Sequence, residues 1–357
     1  MTPIPPPPDT ASAAAASATE FRAESERDPF PAFLVTTTDD VVVAGVSAMV
    51  LDDLPPGGVV IEVQWSAVNY KDGMVTRPGN RVARTSPLIP GVDMVGAVVT
   101  SDDPDFTPGE LVVAHGYDIG VARHGGFARF ARVPAGWIVH LPDGLTARRA
   151  AVLGTAGFTA ALSLHRLEHH GLRPGTGPLL VTGASGGVGG MAVALAAARG
   201  YEVVASTGRT AEREYLLNLG AADVIGRDEL VVDPARTLGP ERWSGAIDCV
   251  GGATLSAILR TLRYGAAVAA SGLTGGTNVE TSVYPFIVRN IALLGIDTVL
   301  TPIGERRAVW AELAGWVPGA TVDALVAGEV SLAGLAPVLD DILSGHVRGR
   351  MLVRPEA

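Results

Sequence analysis

Apolar and polar side chains alternate most regularly at Val59-Val60-Ile61-Glu62-Val63-Gln64-Trp65, and a period of two predicts a half-buried strand. Similar short β-branched runs recur from Phe33 to about Pro142. They are separated by turn signals such as Asp39-Asp40, Pro55-Pro56-Gly57-Gly58, Pro90-Gly91, Pro108-Gly109 and His124-Gly125-Gly126. This pattern predicts an all-β region of barrel type. After Pro142 the pattern changes. Thr146 to His170 is rich in Ala and Leu and predicts a helix, and "GPLLVTGASGGVGGMAVALAAARGYEVVAST" reads strand, glycine turn, helix, strand. Further strand and helix signals at "AADVIG", "GAIDCVGG", "YGAAVAASG" and "NIALLGID" give the alternation of an α/β chain with a doubly wound parallel sheet. Residues 303–357 add two amphipathic helices, "GERRAVWAELAGWV" and "LAPVLDDILSG", and then the strand "RGRMLVRP".

The length of 357 residues fits two domains, and 47% hydrophobic with 18% charged residues describes a soluble globular chain. A net charge of −10 without clustered Lys and Arg speaks against a nucleic-acid or acidic-membrane partner. Cys249 is the single cysteine, so the chain has no internal disulfide and no multi-cysteine zinc site, and the expected compartment is the reducing cytoplasm. No apolar run reaches membrane-spanning length. Residues 1–30 join a proline run to an Ala/Ser tract and then mixed charge, which predicts a disordered tail and lacks the basic start and apolar centre of a signal peptide.

The glycine loop is the strongest local signal. Leu179 to Thr182 predicts a buried strand, and Ala184-Ser185-Gly186-Gly187-Val188-Gly189 turns directly into the helix Met191 to Arg199. Small residues let the backbone approach a pyrophosphate, and the helix N-terminus offers free N–H groups with roughly +0.5 charge of dipole. Ala184 stands where the dinucleotide fingerprint has its first glycine, and Gly183 is expected to relieve the turn instead. An NAD-preferring site places Asp or Glu at the end of the next strand. Here "YEVVA" runs into Ser206-Thr207-Gly208-Arg209, where hydroxyls and a guanidinium suit the 2′-phosphate of NADPH. Arg227 adds charge, whereas Arg213 reads as a surface residue.

The motif order "AVNYKD", "IPGVDMVG", "GTAGFTA", "VTGASGGVG", "STGR", "YLLNLGA", "AIDCVGG", "GLTGG", "PFIVRN" and "GRMLV" resembles the medium-chain dehydrogenase/reductase superfamily. Within it, the chain is similar to the NADPH-dependent acrylyl-CoA reductases, which are themselves similar to quinone reductases. The resemblance spans residues 31–357. It implies a GroES-like β-barrel catalytic domain over 31–152 and 299–357, and a Rossmann domain over 153–298. It also implies a homodimer, with the apolar strand "NIALLGI" as a candidate edge contact.

Zinc-dependent members place Cys where this chain has Asn69 and His where it has Val92 within Gly91-Val92-Asp93, so two ligands are missing. His165, His169 and His170 share a helix and read as a solvated face, and His115 and His124 flank a loop at the barrel end. Without metal, the resemblance implies hydride transfer to a conjugated carbon, such as the β-carbon of an α,β-unsaturated thioester, with acrylyl-CoA going to propionyl-CoA. Tyr70 is the candidate at the nicotinamide, with two roles open to it, cofactor contact and proton donor. Asn69 is the candidate for orienting the site, and Asp72 for capping the next turn. The resemblance further implies Ser185, Gly186, Gly187 and Val188 at the pyrophosphate, and Thr207, Gly208, Arg209 and Arg227 at the adenosine phosphate. Leu273, Ile287, Thr298 and Arg350 are implied on the nicotinamide side, with residues 272–298 at the carboxyl ends of late strands. Two alternatives stand beside this reading: a quinone or small-enone oxidoreductase, and a non-enzymatic NADPH-binding sensor.

Overall fold

The computed structural model describes residues 28–233, 236–316 and 318–356. The tail expected over 1–30 lies, up to residue 27, outside the described residues, and a strand has already begun at Phe30. The chain forms two compact units. One runs up to Leu141 and takes in Val330–Leu339 and Val353 onward; the other comprises Pro142–Glu329 and Asp340–Leu352. The division thus falls at 141/142 rather than 152/153, and residues 299–329 stay with the second unit. The reason is packing: the long helix Ala147–His169 lies along the helix Gly187–Ala198, and the helices Ile303–Trp316 and Gly319–Ala324 pack on that same long helix.

In the first unit, β1 (Phe30–Thr38) and β2 (Val41–Met49) form an antiparallel hairpin. Its turn residues Asp39 and Asp40 take φ of 50° and 64°, the left-handed conformation that a two-residue hairpin requires. β3 (Val59–Ala67), β4 (Asp93–Ser101), β5 (Leu111–His115) and β7 (Ile138–His140) run antiparallel in that order, and β6 (Phe130–Val133) pairs with β3. The period of two in β3 sends Val59, Ile61 and Val63 into a core with Met94, Val98, Val112 and Ile138. At its end β3 does not simply run out into solvent: Tyr70–Val75 forms a short helix with Asn69 at its N-cap position.

The second unit is built on a parallel sheet. Its strands are β8 (Leu179–Thr182), β9 (Val203–Thr207), β10 (Asp223–Gly226), β11 (Gly245–Asp248), β12 (Ala267–Ala270) and β13 (Ala292–Gly295), in the order β10-β9-β8-β11-β12-β13. Chain order reverses direction between β8 and β11, which makes their carboxyl ends the switch point where doubly wound sheets take ligands. There the Thr182 hydroxyl donates to Asp248 Oδ1 (2.6 Å), and the Asp248 carboxylate accepts from the N–H of Val250 (3.3 Å) and Gly251 (2.8 Å). Asp248 is therefore a turn and packing residue. Burial pushes the Cys249 thiol up to about 12, so it is an unreactive neighbour. The helix Leu335–Leu343 and the strands β14 (Val326–Ser331) and β15 (Arg350–Arg354) complete the chain. No helix among the described residues is long and apolar enough to cross a membrane.

Candidate functional site

Two groups of predicted residues emerge, one in each unit. In the first, the polar row Asn69-Tyr70-Lys71-Asp72 starts a short helix. Asp72 is fully buried. Its Oδ2 accepts from the Asn69 N–H (2.8 Å), and its Oδ1 accepts from the N–H groups of Gly91 and Val92 (3.0 Å each). One carboxylate thus joins the helix start to the loop that enters β4. The Asn69 side-chain amide donates to Asp93 Oδ2 (2.8 Å) and to the Ala67 carbonyl (3.2 Å). The position where zinc members have a thiolate therefore holds a hydrogen-bonded tether between two strand ends. Tyr70 stands at the first position of the helix, 36% exposed, and its hydroxyl makes no hydrogen bond among the described residues. His115 is fully buried, and His124 Nδ1 accepts from the Ile89 N–H (3.1 Å), so both serve the fold rather than a surface.

In the second unit, Gly183 takes φ of 59° and turns the chain out of β8, as expected with Ala184 buried beside it. The helix Gly187–Ala198 begins at the N-cap Gly186. Its first N–H groups have no helical acceptor and are free for an anion. A Cβ on Gly189 would stand 2.3 Å from the Gly183 carbonyl, so only glycine lets the helix come this close to the strand end. Arg350 is buried, donates from Nε to the Val152 carbonyl (2.9 Å), and lays its side chain beside Gly187. A residue 163 positions further along the chain is thus brought to the glycine loop.

The adenosine-phosphate corner assembles around Ser185. Its hydroxyl lies 3.0 Å from that of Thr207, and Thr207 Oγ1 accepts from the Arg209 N–H (3.1 Å). The Arg209 side chain does not point outward as an open fork. Nη2 donates to Ser185 Oγ (2.9 Å), to the Ser185 carbonyl (3.1 Å) and to the Val347 carbonyl (3.3 Å), and Nη1 donates to the Gly345 carbonyl (2.9 Å). Arg227 is the cation on offer. It is exposed, makes no hydrogen bond or ion pair among the described residues, and lies over Gly208, where an added Cβ would stand 2.8 Å from its Nε. Arg213 pairs with Asp223 at the surface, as its position implied. No signal in the sequence points to the carbonyls of Gly345 and Val347, which lie 136 and 138 residues from Arg209.

Leu273 and Thr298 follow the carboxyl ends of β12 and β13, as expected. The Leu273 turn packs on Gly251, with Gly275 N–H donating to the Val250 carbonyl (2.7 Å). Ile287 departs from the expectation. It sits on the helix Tyr284–Arg289, which leads down into the amino end of β13, and it is 71% exposed. Arg289 holds that helix low by donating to the carbonyls of Arg260 (2.9 Å), Leu262 (3.3 Å) and Gly239 (2.5 Å).

Comparison with known proteins accounts for this arrangement. Residues 55–143 match the alcohol dehydrogenase GroES-like domain, and residues 187–315 match the family described as zinc-binding dehydrogenase. YhfP of Bacillus subtilis, which carries a quinone oxidoreductase name, is 46% identical over 91% of this chain and 98% of that protein. This chain belongs to the medium-chain dehydrogenase/reductase superfamily. Acrylyl-CoA reductase AcuI of Ruegeria pomeroyi is 45% identical over 87% of this chain and 94% of its own length. Among solved structures of the superfamily, the yhdH oxidoreductase of Salmonella enterica in complex with NADP superposes with a TM-score of 0.88 at 42% identity, covering 91% of this chain and 99% of that one. Bacillus subtilis yhfP with NAD bound gives 0.89 at 45% identity, covering 92% and 100%. The two differ in the nucleotide they hold, so the chemistry of the 207–227 corner bears directly on the cofactor of this member.

Burial pushes the Asp72 carboxyl up from 3.8 to about 7, with Asp93 adding to the rise and the three N–H donors opposing it. A folded-state value above the unfolded one contributes stability that is present below about pH 4 and is lost as pH rises through about 7. Asp72→Asn is expected to remove this fall. It should also cost about 1–3 kcal/mol at acid pH, because the amide NH2 that replaces one carboxylate oxygen cannot accept from the backbone N–H it faces. Calorimetric melting of both proteins from pH 4.5 to 8 checks this; melting curves that shift in parallel with pH would sink the assignment.

Proposed function

We propose that this chain is an NADPH-dependent reductase of an activated carbon–carbon double bond, with acrylyl-CoA going to propionyl-CoA as the reaction. The observation that carries the cofactor is the β9 end. It has no carboxylate, and Thr207, Arg209 and Arg227 gather there, with Arg227 held over Gly208. The glycine loop and the helix start at Gly187 fit a pyrophosphate. The identity to AcuI over 87% of this chain supports the thioester substrate.

NADPH, when bound, supplies the hydride that reaches the β-carbon of the substrate. The thioester oxygen then gathers negative charge, and a proton must reach the α-carbon. Tyr70 is the residue assigned to these groups, because it is partly exposed and its hydroxyl makes no hydrogen bond among the described residues. A donor on the developing oxyanion stabilises it by ~3 kcal/mol. Asn69 acts on Tyr70 through the backbone: by tethering Asp93 it fixes the helix start from which Tyr70 projects. The quinone name of YhfP supports a second reading, quinone reduction, in which no protein acid is needed. The reading includes a homodimer. β13 is an edge strand, and Leu293, Ile287, Val288 and Leu300 on and around it are 42–73% exposed, enough apolar surface to suit a second copy.

Three outcomes follow. Arg227→Ala should raise the Kd for NADPH by about tenfold or more and leave NADH nearly unchanged, since a lost charge-assisted phosphate contact is worth about 1.5–3 kcal/mol. Equal losses would remove the 2′-phosphate assignment. In stopped-flow NADPH oxidation, acrylyl-CoA should exceed both crotonyl-CoA and a benzoquinone in kcat/KM, and Tyr70→Phe should lower the rate with the thioester alone. A benzoquinone preferred by orders of magnitude would instead favour the second reading. Sedimentation should give a dimer that Leu293→Lys converts to monomer; a monomeric wild type would end the dimer reading.

A further inference from the structure

Arg306 lies on the helix Ile303–Trp316, on the same stripe as the buried Val309, Trp310 and Leu313. It is fully buried, whereas the adjacent Arg307 is exposed. A buried guanidinium is costly unless its donors are met. Here Nη2 donates to the carbonyl of Thr298 (3.1 Å), with longer contacts to those of Val299 (3.4 Å) and Thr301 (3.5 Å). On the other side, the guanidinium lies 5.0 Å from the centroid of the Phe158 ring, within cation–π range.

The segment these carbonyls belong to is shaped to present them together. The Asp297 carboxylate accepts from the N–H groups of Val299 (2.8 Å) and Leu300 (3.1 Å), and the Thr301 hydroxyl donates back to the Asp297 carbonyl (2.7 Å). Such an Asp turn fixes the N–H groups on the carboxylate side and leaves the carbonyls for another donor. Arg306 supplies that donor from a helix anchored at its own start, where its N–H donates to the Pro302 carbonyl (2.9 Å). The segment follows β13 at the carboxyl edge of the parallel sheet and carries Thr298.

We propose that Arg306 is a positioning residue for the reductase: it holds the 297–301 turn so that Thr298 presents a fixed surface to the nicotinamide end of the cofactor. This rests on the reading of the chain as an NADPH enzyme with Thr298 on the nicotinamide side. Nη2 reaches the carbonyls while the guanidinium plane lies against Phe158, and a compact ammonium on a shorter side chain is expected to keep only some of these contacts, so lysine should substitute only in part.

The experiment compares two ligands. NADPH reaches the 298 turn, whereas adenosine 2′,5′-bisphosphate fills only the adenosine end. Arg306→Met is expected to raise the Kd of NADPH by about tenfold relative to that of the bisphosphate, and to lower kcat by about tenfold or more, as a misplaced reactive end does. Arg306→Lys should fall between, and Arg307→Met should match wild type. Amide hydrogen exchange on Arg306→Lys should show faster exchange confined to residues 297–301. Equal weakening of both ligands, a lowered Tm with both affinities unchanged, or faster exchange spread over the whole unit would each overturn the proposal. If wild type binds neither ligand, the NADPH reading itself fails; if wild type binds both and only the variant pattern is missing, the role of Arg306 fails.

Discussion

Everything at the nucleotide corner hangs on one close approach, that of the helix Gly187–Ala198 to the end of β8. The contact is made where Gly189 faces the Gly183 carbonyl, at a distance that no side chain survives. With the helix start fixed there, Ser185 is placed to meet Thr207 and Arg209, and its carbonyl accepts from the Gly349 N–H (3.0 Å). The segment 345–350 is thereby drawn over the loop, bringing the Gly345 and Val347 carbonyls to Arg209 and the Arg350 side chain to Gly187. A residue larger than glycine at 189 would displace the anion site and this whole set of contacts together.

Several ionic side chains in this chain act by organising backbone. Asp72 collects N–H groups from two segments, Asp297 closes a turn on itself, and Arg306 gathers the carbonyls that this turn leaves over. In each case the side chain meets backbone groups that would otherwise need water, and at Asp72 and Arg306 burial makes the arrangement costly to disturb. Arg209 belongs to the same class, which is why Arg227 is the more available cation at the phosphate corner.

Much of the architecture is legible in the amino-acid sequence. A period of two identified β3, and the strand–glycine–helix order identified the nucleotide fold, because both depend on local spacing. The absence of a carboxylate after β9 was likewise a local observation. The stretch 66–74 was harder. Asn69 and Asp72 stand at the spacing of a helix start, yet the preceding alternation signals only the strand. Ile287 lies on a helix that leads into the amino end of β13, and motif order says nothing about height along the sheet.

By itself, then, the sequence determined the class of each element, the anion-binding loop and the sign of charge beside it, since these follow from residue type and short spacing. Only the tertiary structure decided which identical groups do different work. Arg306 and Arg307 are neighbours with the same side chain, and the packing of one helix buries the first against Phe158 and leaves the second in water. Arg209 and Arg227 carry the same charge, but a returning segment more than a hundred residues away occupies one and not the other. Contacts of that sequence separation are set by the fold as a whole, and no local pattern encodes them.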